Sequence, residues 1–191
     1  MKVLNKLYVA LIHYPIVGKD DSIISTAVTN LDIHDISRSC RTYNIKKFFM
    51  VSNLSAQREI VKRVFRYWKE GFGKKHNPNR NDALSIAEIR KYLEDVIEEI
   101  TEIEGKRPKL VFTSAKPREK EISFDEMKKV IREETAPILI LYGTGWGMPE
   151  EIREICDYDL DPIRGKAEFN HLSVRAAVAI SLDRLIGEET I

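Results

Sequence analysis

Apolar residues fall into two alternating rhythms along this chain. The runs LYVALIHY (7–14), IKKFFMV (45–51), KLVFTS (109–114) and PILILY (137–142) are short, rich in β-forming residues and bounded by turn residues, which predicts strands. PILILY is uninterrupted, the pattern of a strand covered on both faces. Between these runs the spacing changes to that of helices. Thr29 or Asn30 caps a first helix with Asp32 in its first turn and Ile33, Ile36 and Cys40 as its apolar stripe. A second helix covers Leu54 to Lys69 with Ile60, Val61, Val64, Phe65 and Trp68 inward, and a third is predicted over about 85–104, from Ile86 and Ile89 to Ile103, ending at Gly105. Further helices are expected from Phe124 to Arg132 and from about Asn170 onward. Strand and helix alternate throughout, so the predicted class is α/β, a mostly parallel sheet flanked by helices, in which ligands settle beyond the carboxyl ends of the strands.

The 191 residues are expected to form one domain, 1–191. A content of 43% hydrophobic and 32% charged residues excludes wholesale disorder. Cys40 and Cys156 form no Cys-x-x-Cys pair, and His13, His34, His76 and His171 share no ligand spacing, so no metal is expected. No run approaches the ~18 apolar residues of a membrane span, and no cleavable leader is visible, which points to a cytoplasmic protein with reduced thiols.

The net charge of +1 conceals a separation. Segment 58–80 holds eight Lys or Arg against two Glu, whereas 88–104 holds seven acids against two bases. Arg58, Lys62, Arg66 and Lys69 lie on one helical stripe, and Lys74 and Lys75 extend it into GFGKKHNPNRN (71–81), which reads as flexible. This ridge is a candidate surface for tracking a phosphate backbone; the competing reading is a solvated face paired with the acidic helix.

Two segments carry candidate chemistry. In PILILYGTGWGMP (137–149), Gly143, Gly145 and Gly147 follow a buried strand, so main chain there is open to a flat ligand; a glycine-rich tight turn is the alternative. Trp146 reads equally as a ligand cover or as a packed indole. In DPIRGKAEFNHLSVRAAVAISLDRL (161–185) a Pro/Gly loop enters a helix rich in small residues, with Asn170, His171 and Ser173 expected in its first turn, where they meet a ligand or simply cap the helix.

The ordered set Leu141-Tyr-Gly-Thr-Gly-Trp-Gly147, Pro162-Ile-Arg-Gly165 and the small-residue stretch Ser173 to Ala179 resembles the SPOUT RNA methyltransferases. An earlier stretch, Asp32-Ile-His-Asp-Ile-Ser-Arg-Ser-Cys-Arg-Thr-Tyr-Asn44, is similar to that family's arginine motif and aligns Arg38 with its catalytic arginine. Asp32, Asn44 and FNHLS (169–173) depart from the usual residues, which leaves the 2′-O-methylating branch unassigned, and the NHLSVRAAVAI stretch is similar to a branch that is a bare catalytic domain.

The resemblance implies a C-terminal deep trefoil knot over about 109–186 and S-adenosylmethionine as cofactor. It implies a cofactor site at Thr113, Leu141, Tyr142, Gly143, Gly145, Gly147, Ile163, Gly165, Asn170, His171, Leu172 and Ser173. It also implies an RNA substrate, tRNA or rRNA, and a homodimer whose partner completes the pocket. Arg38 is then expected to orient a phosphate or ribose and contact RNA, with Asp35 or Glu168 as the base. An RNA-binding protein of this fold without turnover, and a Rossmann-type nucleotide-binding oxidoreductase, are the competing hypotheses.

Overall fold

The computed structural model describes residues 6–167 and 169–187. Its centre is a fully parallel six-stranded sheet in the order β5-β4-β1-β7-β6-β8, formed by β1 (Leu7–Ile12), β4 (Lys47–Val51), β5 (Ala87–Arg90), β6 (Lys109–Thr113), β7 (Ile138–Gly143) and β8 (Tyr158–Leu160). Two short strands, β2 (Ile16–Val17) and β3 (Ile23–Ile24), pair antiparallel beside it. All six residues of β1 are buried, as its continuous apolar run requires of a strand with neighbours on both edges and helices on both faces.

Side-chain alternation divides the core into two layers. Leu7, Val9 and Leu11 face a layer shared with α1 (Asn30–Thr42), α2 (Ser55–Lys69), α4 (Pro78–Ser85), α6 (Phe124–Glu133) and α8 (Val174–Ile186). Tyr8, Ala10 and Ile12 face the other, built with α5 (Leu93–Glu104) and Ile152 of α7 (Glu150–Glu154). The helix starts use the expected chemistry: Thr29 and Asp32 form a reciprocal capping box on α1, and Ser123 with Glu126 does the same on α6. α5 stops at Gly105, whose φ of 70° suits a residue without Cβ.

The structure corrects three expectations. The helix expected over 85–104 divides into the end of α4, the strand β5 and α5. Ile89 fits either rhythm, but only as β5 does it pair beside Met50 and supply partners to an otherwise open edge of β4. The segment expected to be flexible, 71–81, holds α3 (Phe72–His76) and the start of α4, where Asn77 accepts a bond from the Arg80 N–H and Pro78 occupies the first turn. Ile60, assigned inward from sequence, is 51% exposed, because Val61 takes the buried position. The sequence reading assigned no element to β2, β3, α7 or β8.

Candidate functional site: the carboxyl edge of β7, β6 and β8

Because every strand of the sheet is parallel, the loops after β7, β6 and β8 leave from one edge. These strands are neighbours at ~4.8 Å spacing, which puts the carboxyl ends of β7 and β8 about 10 Å apart, the width of a nucleoside. Three fixings hold the loops there. Thr113 Oγ1 donates to the Leu141 carbonyl at 2.7 Å, Asn170 Nδ2 donates to the Ala115 carbonyl at 3.2 Å, and the Val17 N–H donates to the Gly147 carbonyl at 2.9 Å.

Under the glycine loop runs a chain of hydroxyls ending on a histidine. Thr144 Oγ1 lies 3.0 Å from the Ile12 carbonyl and 2.5 Å from Thr26 Oγ1, which is 3.0 Å from His13 Nδ1. A carbonyl only accepts, so Thr144 donates to Ile12, Thr26 donates to Thr144, and His13 must donate from Nδ1. That fixes the tautomer and leaves Nε2, buried and without a partner among the described residues, as a lone pair. Burial pulls the ring pKa down to about 4, against a smaller upward pull from Asp32. The imidazole is therefore neutral at pH 7 and serves as a rigid prop for the loop.

The glycines do different work. Gly145 and Gly147 have φ of 55° and 102°, the left-handed region. A Cβ at Gly143 would lie 2.9 Å from Met148 Cγ and 3.0 Å from Met148 N, so this glycine permits packing within the loop. At Gly147 and Gly165 a Cβ would meet nothing within 4 Å among the described residues, so the main chain there is uncovered by them. Around this edge Trp146 is 59%, Phe169 76% and Leu172 46% exposed, an unusual amount of apolar surface. Bare backbone beside uncovered flat and aliphatic side chains fits a planar heteroaromatic ligand such as the adenosine half of the expected cofactor.

The remaining expected cofactor residues are placed as follows. Tyr142 turns its ring into the buried layer beneath α8, where burial pushes its phenol pKa up, so only its main chain is available to the loop side. Ile163 is half-buried, and His171 is exposed with its ring edge-on to Phe169. Asn170 and His171 precede α8 and do not lie in its first turn. Ser173 is the cap, accepting a bond from the Ala176 N–H. A residue the sequence reading missed is Arg175, whose Nη1 bonds Asp32 Oδ1 at 2.9 Å and whose Nε lies 3.7 Å from Asp35 Oδ2. It clamps the first turn of α8 to the first turn of α1; its only sequence signal is a charge within a stretch of small residues.

Arg38 is exposed and stands nine residues past the Thr29 cap, ~13 Å along the helix at ~1.5 Å per residue. It lines a cavity of about 510 Å³ between α1, α2 and α4, which Asp35 also borders. This cavity lies on the helical layer and not at the glycine loops, so within one chain the expected base and arginine group with α2. Glu168 lies outside the described residues.

The basic ridge is only partly free. Arg58 donates to the Ser52 carbonyl at 2.8 Å, Lys69 donates to the Ala87 carbonyl at 3.1 Å with its ammonium over the Phe65 ring, and Lys62 pairs with Glu59. Arg66, Lys74 and Lys75 are exposed. The acidic helix does not neutralise them, since Glu88 and Glu99 are engaged by Lys47 and Arg90 at the β4–β5 edge and α5 packs on the opposite face of the sheet. Among the described residues no helix is long and apolar enough to cross a membrane.

Residues 6–187 match the family described as SAM-dependent RNA methyltransferase. The chain is 40% identical to an uncharacterized protein of Aquifex aeolicus, over 95% of this chain and 88% of that protein. It is 37% identical to a tRNA (guanine-N(1)-)-methyltransferase of Oleidesulfovibrio alaskensis, over 96% of this chain but only 43% of that protein. Among solved structures it is similar to the SpoU methyltransferase AviRb of Streptomyces viridochromogenes in complex with AdoMet. There the TM-score is 0.55 and the identity 18%, over 95% of this chain and 57% of that one, a likeness of fold.

Proposed function

This chain belongs to the S-adenosylmethionine-dependent RNA methyltransferases, and we propose that it methylates structured RNA, tRNA or rRNA, at the carboxyl edge of β7, β6 and β8. The observation that supports this placement is that two loops leaving one sheet edge each carry a glycine, Gly147 and Gly165, whose Cβ would meet none of the described atoms within 4 Å, while Trp146, Phe169 and Leu172 of the same loops are exposed. Main chain at Leu141, Gly143, Gly145 and Ile163, with Thr113 beneath, would hold the cofactor, and Leu172 would cover it. The bound cofactor supplies a sulfonium methyl group open to in-line attack. The protein's task is then to hold the RNA nucleophile at ~3–3.5 Å and to remove one proton. Arg38 orients the RNA by its phosphate or ribose, and Asp35 accepts the proton.

Arg38 and Asp35 lie on the α1 side, so this reading includes a homodimer that sets one chain's α1 cavity against its partner's glycine loops. The small, half-buried residues Ala176, Ala177 and Ala179 of α8 favour close approach of a second chain. The trefoil knot belongs to the same reading. It is supported by β7 lying between β1 and β6 while the chain leaving β8, outside β6, returns past Ala115 to α8.

Two measurements test the proposal. S-adenosylmethionine at 100 times its Kd should add about 2.7 kcal/mol to the unfolding free energy, with no comparable effect of NAD(H). Label from the methyl group should then appear in RNA. Stabilisation without transfer would favour an RNA-binding protein lacking turnover, and stabilisation by NAD(H) alone would overturn the assignment of the loops.

A further inference from the structure

The cavity between α1, α2 and α4 is lined by three arginines and a single carboxylate. Arg38, Arg63 and Arg80 have no ion pair and no side-chain hydrogen bond among the described residues, and Asp35 is already drawn toward Arg175 on its other side. Three guanidiniums without ion pairs around one concavity give it a positive field that attracts an anion. Arg80 is also pre-positioned. Its guanidinium carbon lies 4.7 Å from the centre of the Trp68 ring, a cation–π contact that holds the group at the cavity while leaving N–H groups free to donate. The main chain of Gly73 is tight against that ring, where a Cβ would come within 2.6 Å of Trp68 Cε3, so the platform cannot shift away.

The rest of the lining is aromatic. Tyr67 stands edge-on to Trp68 at 5.1 Å, lines the cavity and is 48% exposed. His34 meets Trp68 edge-on at 5.7 Å, and its Nδ1 is buried with no hydrogen-bond partner among the described residues. Burial and the neighbouring Arg80 keep His34 below its usual pKa, so it is a neutral ring able to donate or accept a single bond. Guanidiniums alone would suit any anion, and exposed rings alone any flat molecule; together in about 510 Å³ they suit a molecule that is both.

We infer that this cavity is a nucleotide-binding site, taking one unpaired 5′-phosphorylated nucleotide with its phosphate on Arg63 and Arg80 and its base stacked on Tyr67. The inference rests on the RNA methyltransferase reading for its natural source, a single-stranded position in the RNA substrate, while its chemistry is shared by a free nucleotide. Arg63 and Arg80 were counted among the bases of 58–80 in the sequence, yet they converge here away from the Arg58-to-Lys69 stripe because α4 folds back against α1.

The test reads Trp68 directly, in a Trp146→Phe background that leaves a single indole. Adenosine 5′-monophosphate should quench Trp68 emission saturably, whereas adenosine or inorganic phosphate alone should require at least about tenfold higher concentrations. A short single-stranded RNA should bind at least about tenfold more tightly than its own duplex. A stronger response to single-stranded RNA than to the mononucleotide identifies the polymer as the source, and the reverse order identifies a free nucleotide. Arg63→Ala, an exposed helix position where alanine keeps the helix, should weaken single-strand binding about tenfold and reduce the salt slope by about 0.7. Tyr67→Ala should weaken it about tenfold and Tyr67→Phe should not.

Silent Trp68 emission at saturating mononucleotide and single-stranded RNA would overturn the inference, as would quenching by inorganic phosphate as strong as by the nucleotide. None of these titrations contains S-adenosylmethionine, so they separate this inference from the catalytic reading. Methyl transfer to RNA with a silent Trp68 removes the cavity and leaves the enzyme. A responding Trp68 without transfer removes the enzyme and leaves the cavity.

Discussion

Acid should loosen the glycine loop through His13, and the size of the effect follows from its burial. The ring is fully buried, donates to Thr26 and carries an unpartnered Nε2 lone pair, so a second proton there would be a charged donor with no acceptor. Its pKa falls from the ordinary 6.5 to about 4. Above pH 6.5 neither the folded nor the unfolded chain holds this proton, and the group is indifferent to folding. Below that pH only the unfolded chain takes it up, so stability falls until the folded protein also protonates near pH 4. At about 1.36 kcal/mol per pH unit, the whole interval costs about 3 kcal/mol, of which about 2 kcal/mol is lost by about pH 5, before most carboxylates titrate.

Urea unfolding at about pH 7.5 and about pH 5, for the parent chain and His13→Gln, isolates the term, because His34 and the carboxylates titrate alike in both. The substituted chain should be less stable at the higher pH but lose about 2 kcal/mol less on acidification. Parallel losses in the two chains would refute the assignment of an uncharged, one-sided His13 beneath the loop.

The two loop glycines should respond oppositely. Gly143→Val, whose Cβ would press on Met148, should cost about 2 kcal/mol of stability, whereas Gly165→Val should change stability by less than about 0.5 kcal/mol. Calorimetric titration of Gly165→Val with S-adenosylmethionine should show at least about tenfold weaker binding; unchanged affinity would place the cofactor elsewhere. Arg175→Ala removes the cation beside the buried Asp32 and should cost about 2 kcal/mol in denaturant unfolding, partly recovered when Asp32→Asn is added. Thr144→Val breaks both Oγ1 bonds at constant volume and should cost about 1–2 kcal/mol, with Thr144→Ser close to the parent; a loss in Thr144→Ser with Thr144→Val close to the parent would mean that the methyl matters and the hydroxyl relay does not.

Legibility in the sequence followed the range of the interaction. The strand predicted at 137–142 and found at 138–143, a cap at Thr29 or Asn30 with Asp32 in the first turn, and the glycine loop all depend on residues within a few positions of one another and were readable. The reciprocal Thr29–Asp32 box and the choice of Ser173 over Asn170 as cap were not. Gly143 shows where local reading stops: its glycine is explained by contact with Met148, while the open positions belong to Gly147 and Gly165. The basic stripe on α2 was equally visible, but that Arg58 and Lys69 spend their donors on sheet carbonyls was not, because those carbonyls come from β4 and β5.

What the chain alone determined is therefore its inventory: apolar runs long enough for strands, stripes wide enough for helices, and two side-chain-poor bends near the carboxyl end. Periodicity and backbone freedom are properties of consecutive residues, so no partner is needed to set them. Which bends share an edge, that Ile89 closes a sheet and does not sit in a helix, and that Arg38, Arg63 and Arg80 surround one cavity were decided by strand order and helix docking. Those depend on hydrogen-bond register and packing between segments dozens of residues apart, where one apolar pattern satisfies several arrangements until the whole core is assembled.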